Sequence, residues 1–232
     1  SSPNMAQIPS ESDYRTCFIV PEGNKLVGID ASGLELRMLA HYMKDSEYTD
    51  LILHGDIHTY NQEAAGLPSR NDAKTFIYAF LYGAGDAKIG SIVGGGAKEG
   101  AKLKAKFLKS LPSLRALLLK VQRIASSGTV PALDGRRVRV RSEHAALNSL
   151  LQSAGALVMK RALVIAIDKL NNYNYPYKLV AQVHDEFQVE VPEEDAERVG
   201  VAFRNAIREA GRQYDMRCPL DGEYQIGDSW AE

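Results

Sequence analysis

Only two cysteines, Cys17 and Cys218, occur in 232 residues, and neither has a spacing that would hold a metal. They read as structural thiols and favour a reducing compartment. No apolar run approaches about 18 residues, and no basic-then-apolar leader opens the chain, so neither a membrane span nor a signal peptide is expected. Internal repeats and low-complexity segments are missing too. What remains is a composition that is 45% hydrophobic, enough to bury a sizeable core as one domain or two small ones.

A strong net charge is also lacking, at −1 overall, but the balance is uneven along the chain. Between Arg70 and Arg141 there are 15 Lys/Arg against 4 Asp/Glu, and the remainder holds 13 against 25. A basic middle between acidic ends points to a phosphate-rich partner on the middle and metal-binding carboxylates outside it. The run Lys98, Lys102, Lys104, Lys106 and Lys109 is equally compatible with the wet face of a helix.

The stretch Arg70 to Gly85 carries Arg70, Lys74, Tyr78 and Tyr82 at a spacing of four. On an α-helix these side chains drift about 120° around the axis while climbing about 18 Å, so one face bears two cations and then two phenols. Ser69 is the expected N-cap, Asp72 completes a capping-box pattern with it, and Gly83 and Gly85 end the helix. Cations at one end and rings at the other suit a nucleoside triphosphate. An amphipathic helix with a solvated Arg/Lys edge and core tyrosines satisfies the spacing as well.

The segment Lys25 to Ala31 reads as a short apolar strand ending at Asp30, followed by a helix start at which Asp30 could equally serve as a cap. From Gly55 to about Thr129 the pattern is helical, including a helix opening at Pro112. Val130 to Val140 reads as a hairpin turning at Asp134-Gly135. A long helix from Glu143 to Asn171 places His144, Asn148 and Gln152 four apart on one edge. Lys178 to Val191 alternates like two strands, with His184, Asp185 and Glu186 at the bend, where adjacent carboxylates are costly without a cation. After Pro192 comes an amphipathic helix with acids in its first turn.

Together these pieces resemble the polymerase region of family A, the DNA polymerase I family, and most of all its short-tailed-phage branch. DASGLELR, Asp30 to Arg37, resembles motif A; Arg70, Lys74, Tyr78, Tyr82 and Gly83 resemble motif B; VHDE, Val183 to Glu186, resembles motif C. The resemblance implies an α+β fold: a polymerase palm, an antiparallel sheet with helices, contributed by 1–54 and 131–232, with an inserted all-helical fingers subdomain over 55–130. Thumb and exonuclease domains are not expected within the chain, so a second chain or an N-terminal segment is expected to supply the thumb.

The implied function is template-directed DNA synthesis by nucleotidyl transfer onto a primer 3′-hydroxyl with release of pyrophosphate. Two Mg²⁺ ions, or Mn²⁺ in their place, are implied on Asp30 and Asp185, with Glu186 supporting that site. Arg70 and Lys74 fall where the family grips phosphates, and Lys74 could protonate the leaving pyrophosphate. Tyr78 and Tyr82 would face sugar and base, Glu35 would be the steric gate under the sugar, and His58 a further phosphate contact. His144, Asn148, Gln152 and His184 resemble the residues that touch the primer-template. The implied partners are primer-template DNA and dNTPs, without a membrane, in the cytoplasm of a host cell if the chain is phage-encoded. Two other readings are a single-subunit RNA polymerase, which Glu35 disfavours, and a non-catalytic nucleic-acid-binding relic, which the pair Asp30 and Asp185 disfavours.

Overall fold

A computed structural model describes residues 5–9 and 12–231. The irregular lead-in expected over 1–10 therefore lies partly outside the described residues. The chain divides into two compact units, Ser1–Leu34 with Gly155–Glu232, and Glu35–Ala154. Helix α1 is Ser12–Arg15, strand β1 is Asn24–Ala31, and helices α2 to α5 are Leu34–Met43, Ser46–His54, Ile57–Ala65 and Arg70–Leu81. Helices α6, α7 and α8 follow at Asp86–Ser91, Ala97–Ser110 and Pro112–Ala125. A short ladder pairs β2, Thr129–Pro131, with β3, Arg137–Arg139. Helix α9 is Ala146–Asn172, strands β4 and β5 are Lys178–Val183 and Glu186–Pro192, α10 is Ala196–Gln213 and β6 is Gly222–Gly227. The architecture is α+β, as expected.

In the first unit the sheet runs β4-β5-β1-β6, and every pairing is antiparallel. The two central strands share one apolar face, made by Val27 and Ile29 of β1 with Phe187, Val189 and Val191 of β5, all buried, while Gln188 and Glu190 at the alternate positions of β5 are buried polar residues. Helix α10 packs on this sheet through a stripe of Val199, Phe203, Ala206, Ile207 and Ala210, all buried at the helical period. The Phe203 ring lies 5.5 Å from that of Phe187. Behind α10, Asp221 takes two nitrogens from each of Arg204 and Arg208, at 2.9 to 3.2 Å, together with the Gly222 N–H.

The second unit is helical apart from the β2–β3 ladder. Phe76 and Phe80 on α5 and Phe107 on α7 form its aromatic centre, with ring centroids 5.1 to 6.0 Å apart. Pro112 stands at the first position of α8, where a missing N–H costs nothing. Of the α7 lysines, Lys104 is not on a wet face: it bridges the Ala84 carbonyl at 2.7 Å and Asp86 at 2.8 Å.

One expectation needs amending. Glu143–Asn172 is long and apolar enough to cross a membrane by length and composition alone, with 44% of its apolar window buried. Gln152, Ser153, Lys160 and Arg161 break the run into shorter pieces without bringing down its average, which is why reading for an uninterrupted run missed it.

Candidate functional site

In the helical unit, the site is built on α5. Ser69 caps it: its hydroxyl oxygen accepts from the Asp72 N–H at 3.1 Å and donates to the Asp72 carboxylate at 2.7 Å. The helix ends at Tyr82, followed by Gly83 at φ +75°, a conformation that glycine adopts without a Cβ penalty. Over this length Phe76, Ile77 and Phe80 turn inward, while Arg70, Lys74 and Tyr82 are exposed and Tyr78 is half-buried. The expected face of two cations followed by two phenols is present.

The N-terminus of α4 is fastened to that face. Asp56 caps α4 by accepting from the His58 and Thr59 N–H groups, and its other oxygen takes Arg70 Nε at 2.7 Å. The Arg70 hydrogen bond, with those from Thr59, holds the Asp56 carboxyl well below the usual carboxylate range. This fixes Arg70 near His58, whose ring lies 6.4 Å from that of Tyr78. His58 Nδ1 is buried and has no hydrogen-bond partner. Burial first, then the charges of Arg70 and Lys74, lowers the His58 pKa, so the ring stays neutral. An uncompensated nitrogen beside two cations is a place where an anion would be favourable.

At the other end of α5 the Tyr82 hydroxyl donates to Glu35 Oε1 at 2.9 Å, which joins the candidate steric gate on α2 to the last phenol of the series. A Cβ at Gly83 would stand 3.3 Å from the His144 carbonyl, so the end of α5 abuts the segment carrying His144. Asn148 and Gln152 follow on α9 four residues apart, half-buried and exposed respectively.

In the sheet unit, Asp30 is the exposed penultimate residue of β1, in register with Glu186 on one side and Glu223 on the other. His184 and Asp185 form a two-residue connection between β4 and β5, and His184 has φ +53°. Turns of this kind favour glycine there, so a histidine in that conformation costs about 1–2 kcal/mol, a strain that clusters at functional sites. The Asp185 carbonyl accepts from the Ala31 N–H at 3.0 Å. The backbone thus brings the turn bearing Asp185 against the strand end bearing Asp30.

Glu186 is differently placed. Its Oε1 accepts from Trp230 Nε1 at 2.6 Å and from the Gln188 side-chain amide, and Arg15 lies 3.7 Å from Oε2. Sequence reasoning pointed to neither Arg15 nor Trp230. A lone tryptophan close to the end of the sequence with a capable donor was the available signal. Gln188 reaches Glu186 across Gly28, where a Cβ would stand 2.6 Å from the amide nitrogen.

The whole chain, residues 1–232, matches the family described as DNA polymerase family A. It is 43% identical to the DNA-directed DNA polymerase of Escherichia phage T7 over a 267-residue alignment that covers 99% of this chain and 38% of the phage protein. The DNA-directed DNA polymerase of Enterobacteria phage T3 matches at the same identity and coverage. With the thermostable DNA polymerase I of Thermus aquaticus it shares 30% identity over 99% of this chain and 30% of that protein. The chain thus spans under two-fifths of the length of these relatives. Among solved structures, the POL domain of Pol1 from M. smegmatis, in complex with DNA primer-template and dNTP, superposes with a TM-score of 0.87 over 99% of this chain and 45% of that one. At 24% identity this last likeness is one of fold. With the family matched from end to end and the three motif segments on the elements just described, the chain belongs to DNA polymerase family A.

Proposed function

We propose that the protein is a template-directed DNA polymerase that joins a deoxynucleotide to a primer 3′-hydroxyl and releases pyrophosphate. The observation that carries this reading is the docking of the Asp185 turn on the end of β1 beside Asp30, through the Ala31 N–H. We assign residues 1–54 and 131–232 to the palm and 55–130 to the fingers. The acceptor is primer-template DNA, the donor is a dNTP, and a further segment or second chain supplies the thumb. The setting is the cytoplasm, that of the host if the chain is phage-encoded.

Asp30 and Asp185 would hold the divalent ions. Among the described residues no group of three His, Cys, Asp or Glu side chains could enclose an ion unaided. Two carboxylates nonetheless fit Mg²⁺, which is bound by one or two of them with substrate phosphates completing the shell. When bound, a pair of such ions supplies acidity to the 3′-hydroxyl and positive charge to the triphosphate.

The remaining roles belong to the chain itself. Arg70 and Lys74 grip the β and γ phosphates, His58 adds a contact once its ring takes up a proton beside them, and Lys74 donates to the departing pyrophosphate. Tyr78 and Tyr82 bound the sugar and base, and Glu35 occupies the space under C2′. His144, Asn148 and Gln152 contact the duplex edge, and His184 the primer end. Glu186 supports the carboxylate pair without joining it.

The test is primer extension by the complete protein. Asp30→Ala and Asp185→Ala should each abolish nucleotide addition while leaving duplex binding nearly intact, because phosphate contacts elsewhere hold the DNA. Turnover within about tenfold of wild type in either variant would overturn the assignment.

A further inference from the structure

Glu186 stands next to Asp185 in the chain, yet its carboxylate is already engaged on both oxygens by Trp230, Gln188 and Arg15. Trp230, the single tryptophan of the sequence, is the hub of this arrangement. It is buried, with 4% of its surface exposed. The Arg15 guanidinium lies 4.5 Å from the centre of its ring, within cation–π range. Phe18 meets it edge-on at 5.4 Å, and its own backbone N–H is tied to the Phe18 carbonyl at 3.1 Å. The indole therefore has little freedom, and its N–H is presented to Glu186 at a fixed point.

A carboxylate that accepts from an indole and an amide and lies beside a guanidinium has little capacity left for a cation, and its natural role is that of an anchor. What it anchors is the strained two-residue turn on its N-terminal side. A left-handed His184 persists only where neighbouring contacts over-determine it. On one side the Ala31 N–H holds the Asp185 carbonyl; on the other, Glu186 is pinned.

We propose that Trp230 is a positioning residue for the Asp30–Asp185 pair, acting through Glu186. This rests on the polymerase reading above. The indole N–H holds Glu186, Glu186 fixes the first residue of β5, and the Asp185 carboxylate keeps the direction that ion binding requires. Hydrogen bonds to charged groups carry about 10- to 100-fold in an equilibrium constant, and the loss of one should reach the site attenuated, as about a tenfold effect.

The experiment compares Trp230→Phe, which keeps the ring for Arg15 and Phe18 but lacks the N–H, with Glu186→Ala, which removes the acceptor, and the double variant, all in the complete protein. Mn²⁺ binding, followed by electron paramagnetic resonance in the absence of DNA and nucleotide, should weaken about tenfold in Trp230→Phe. In single-nucleotide addition kcat should fall by a similar factor, with KM for dNTP unchanged. The double variant should be no worse than Glu186→Ala alone, since both act on one link. Unchanged Mn²⁺ affinity in Trp230→Phe, or additive effects in the double variant, overturns the proposal. Should Trp230→Phe fail to fold, Glu186→Ala alone decides, as wild-type Mn²⁺ affinity in it refutes the anchor. Asp30→Asn and Asp185→Asn run alongside. If they too bind Mn²⁺ as wild type does, it is the two-carboxylate reading that has failed, and not merely the role of Trp230.

Discussion

Tyr82→Phe separates two things that Glu35 would do at once: fill the space beneath the sugar and be held still while filling it. The phenol donates to Glu35 Oε1 at 2.9 Å. A hydrogen bond to a charged group contributes about 1.5–3 kcal/mol, but Tyr82 is 50% exposed, and solvent screening brings a pair of this kind to about 1 kcal/mol. That corresponds to about fivefold. Tyr82→Phe should therefore lower the discrimination between dNTP and rNTP by about fivefold, leaving the protein's thermal stability nearly unchanged. Glu35→Ala empties the space itself and should relax selectivity by well over tenfold while slowing normal incorporation. The double variant should match Glu35→Ala, because once the carboxylate is gone the phenol has nothing to hold. The assay is single-nucleotide extension at one template position, with kcat/KM measured for the dNTP and its ribonucleotide counterpart. Unchanged selectivity in Glu35→Ala would refute the gate. An undiminished ratio in Tyr82→Phe, with Glu35→Ala relaxed, would show that the gate needs no anchor.

Three further outcomes are expected. At Tyr78, a hydroxyl on the sugar-facing ring can replace the 3′-hydroxyl of an incoming nucleotide, so the wild type should take dideoxynucleotides almost as well as deoxynucleotides, and Tyr78→Phe should restore discrimination by about 10- to 100-fold; competition in single-nucleotide extension decides, and an unmoved ratio removes Tyr78 from the sugar. Burial raises the Asp221 pKa, but the hydrogen bonds from Arg204 and Arg208 outweigh it and hold the group well below its usual value. Its stabilisation is thus full above about pH 4 and drains away as the pH falls below that. Asp221→Ala should cost about 2–3 kcal/mol at neutral pH and show a flatter acid limb in chemical denaturation, and an acid limb as steep as that of wild type contradicts the assignment. The lowered His58 pKa means that the unfolded chain binds a proton first, so stability should drop as the pH falls below about 6.5. Triphosphate binding should have the opposite sign, tightening as the pH falls because phosphate charge favours the imidazolium, and His58→Gln should flatten that profile in calorimetric titrations between pH 8 and pH 5.5.

How much of this was legible in the sequence depended on how local the signal was. Helix α5 could be read residue by residue, from the Ser69 cap to the glycine after Tyr82, because caps and turns are chemistry over three or four neighbours. The β4–β5 pair was legible for the same reason, although the bend holds only His184 and Asp185, and Glu186 already belongs to the strand. The Tyr82–Glu35 bond joins residues 47 positions apart, beyond the reach of any local pattern. Arg15 and Trp230 escaped altogether. Arg15 lies in no motif, the single tryptophan offers a donor without naming its acceptor, and only the packing of α1 and the residues after β6 around Glu186 gives them a common purpose. Lys104 misled in the opposite direction, since a helix-period run of lysines reads as solvent-facing until Asp86 and a carbonyl are seen beneath one of them.

The narrow space above Gly28 has a consequence for how this sequence can drift. Because the Gln188 amide occupies the volume where a methyl group at position 28 would lie, the two sites do not accept substitutions independently. An alanine at 28 requires the flexible end of Gln188 to turn aside, and that turn removes one of the donors on Glu186. The intermediate genotypes on either path are therefore handicapped. Natural variants should hold glycine and glutamine together at these positions or exchange both, and libraries randomised at 28 alone should return glycine.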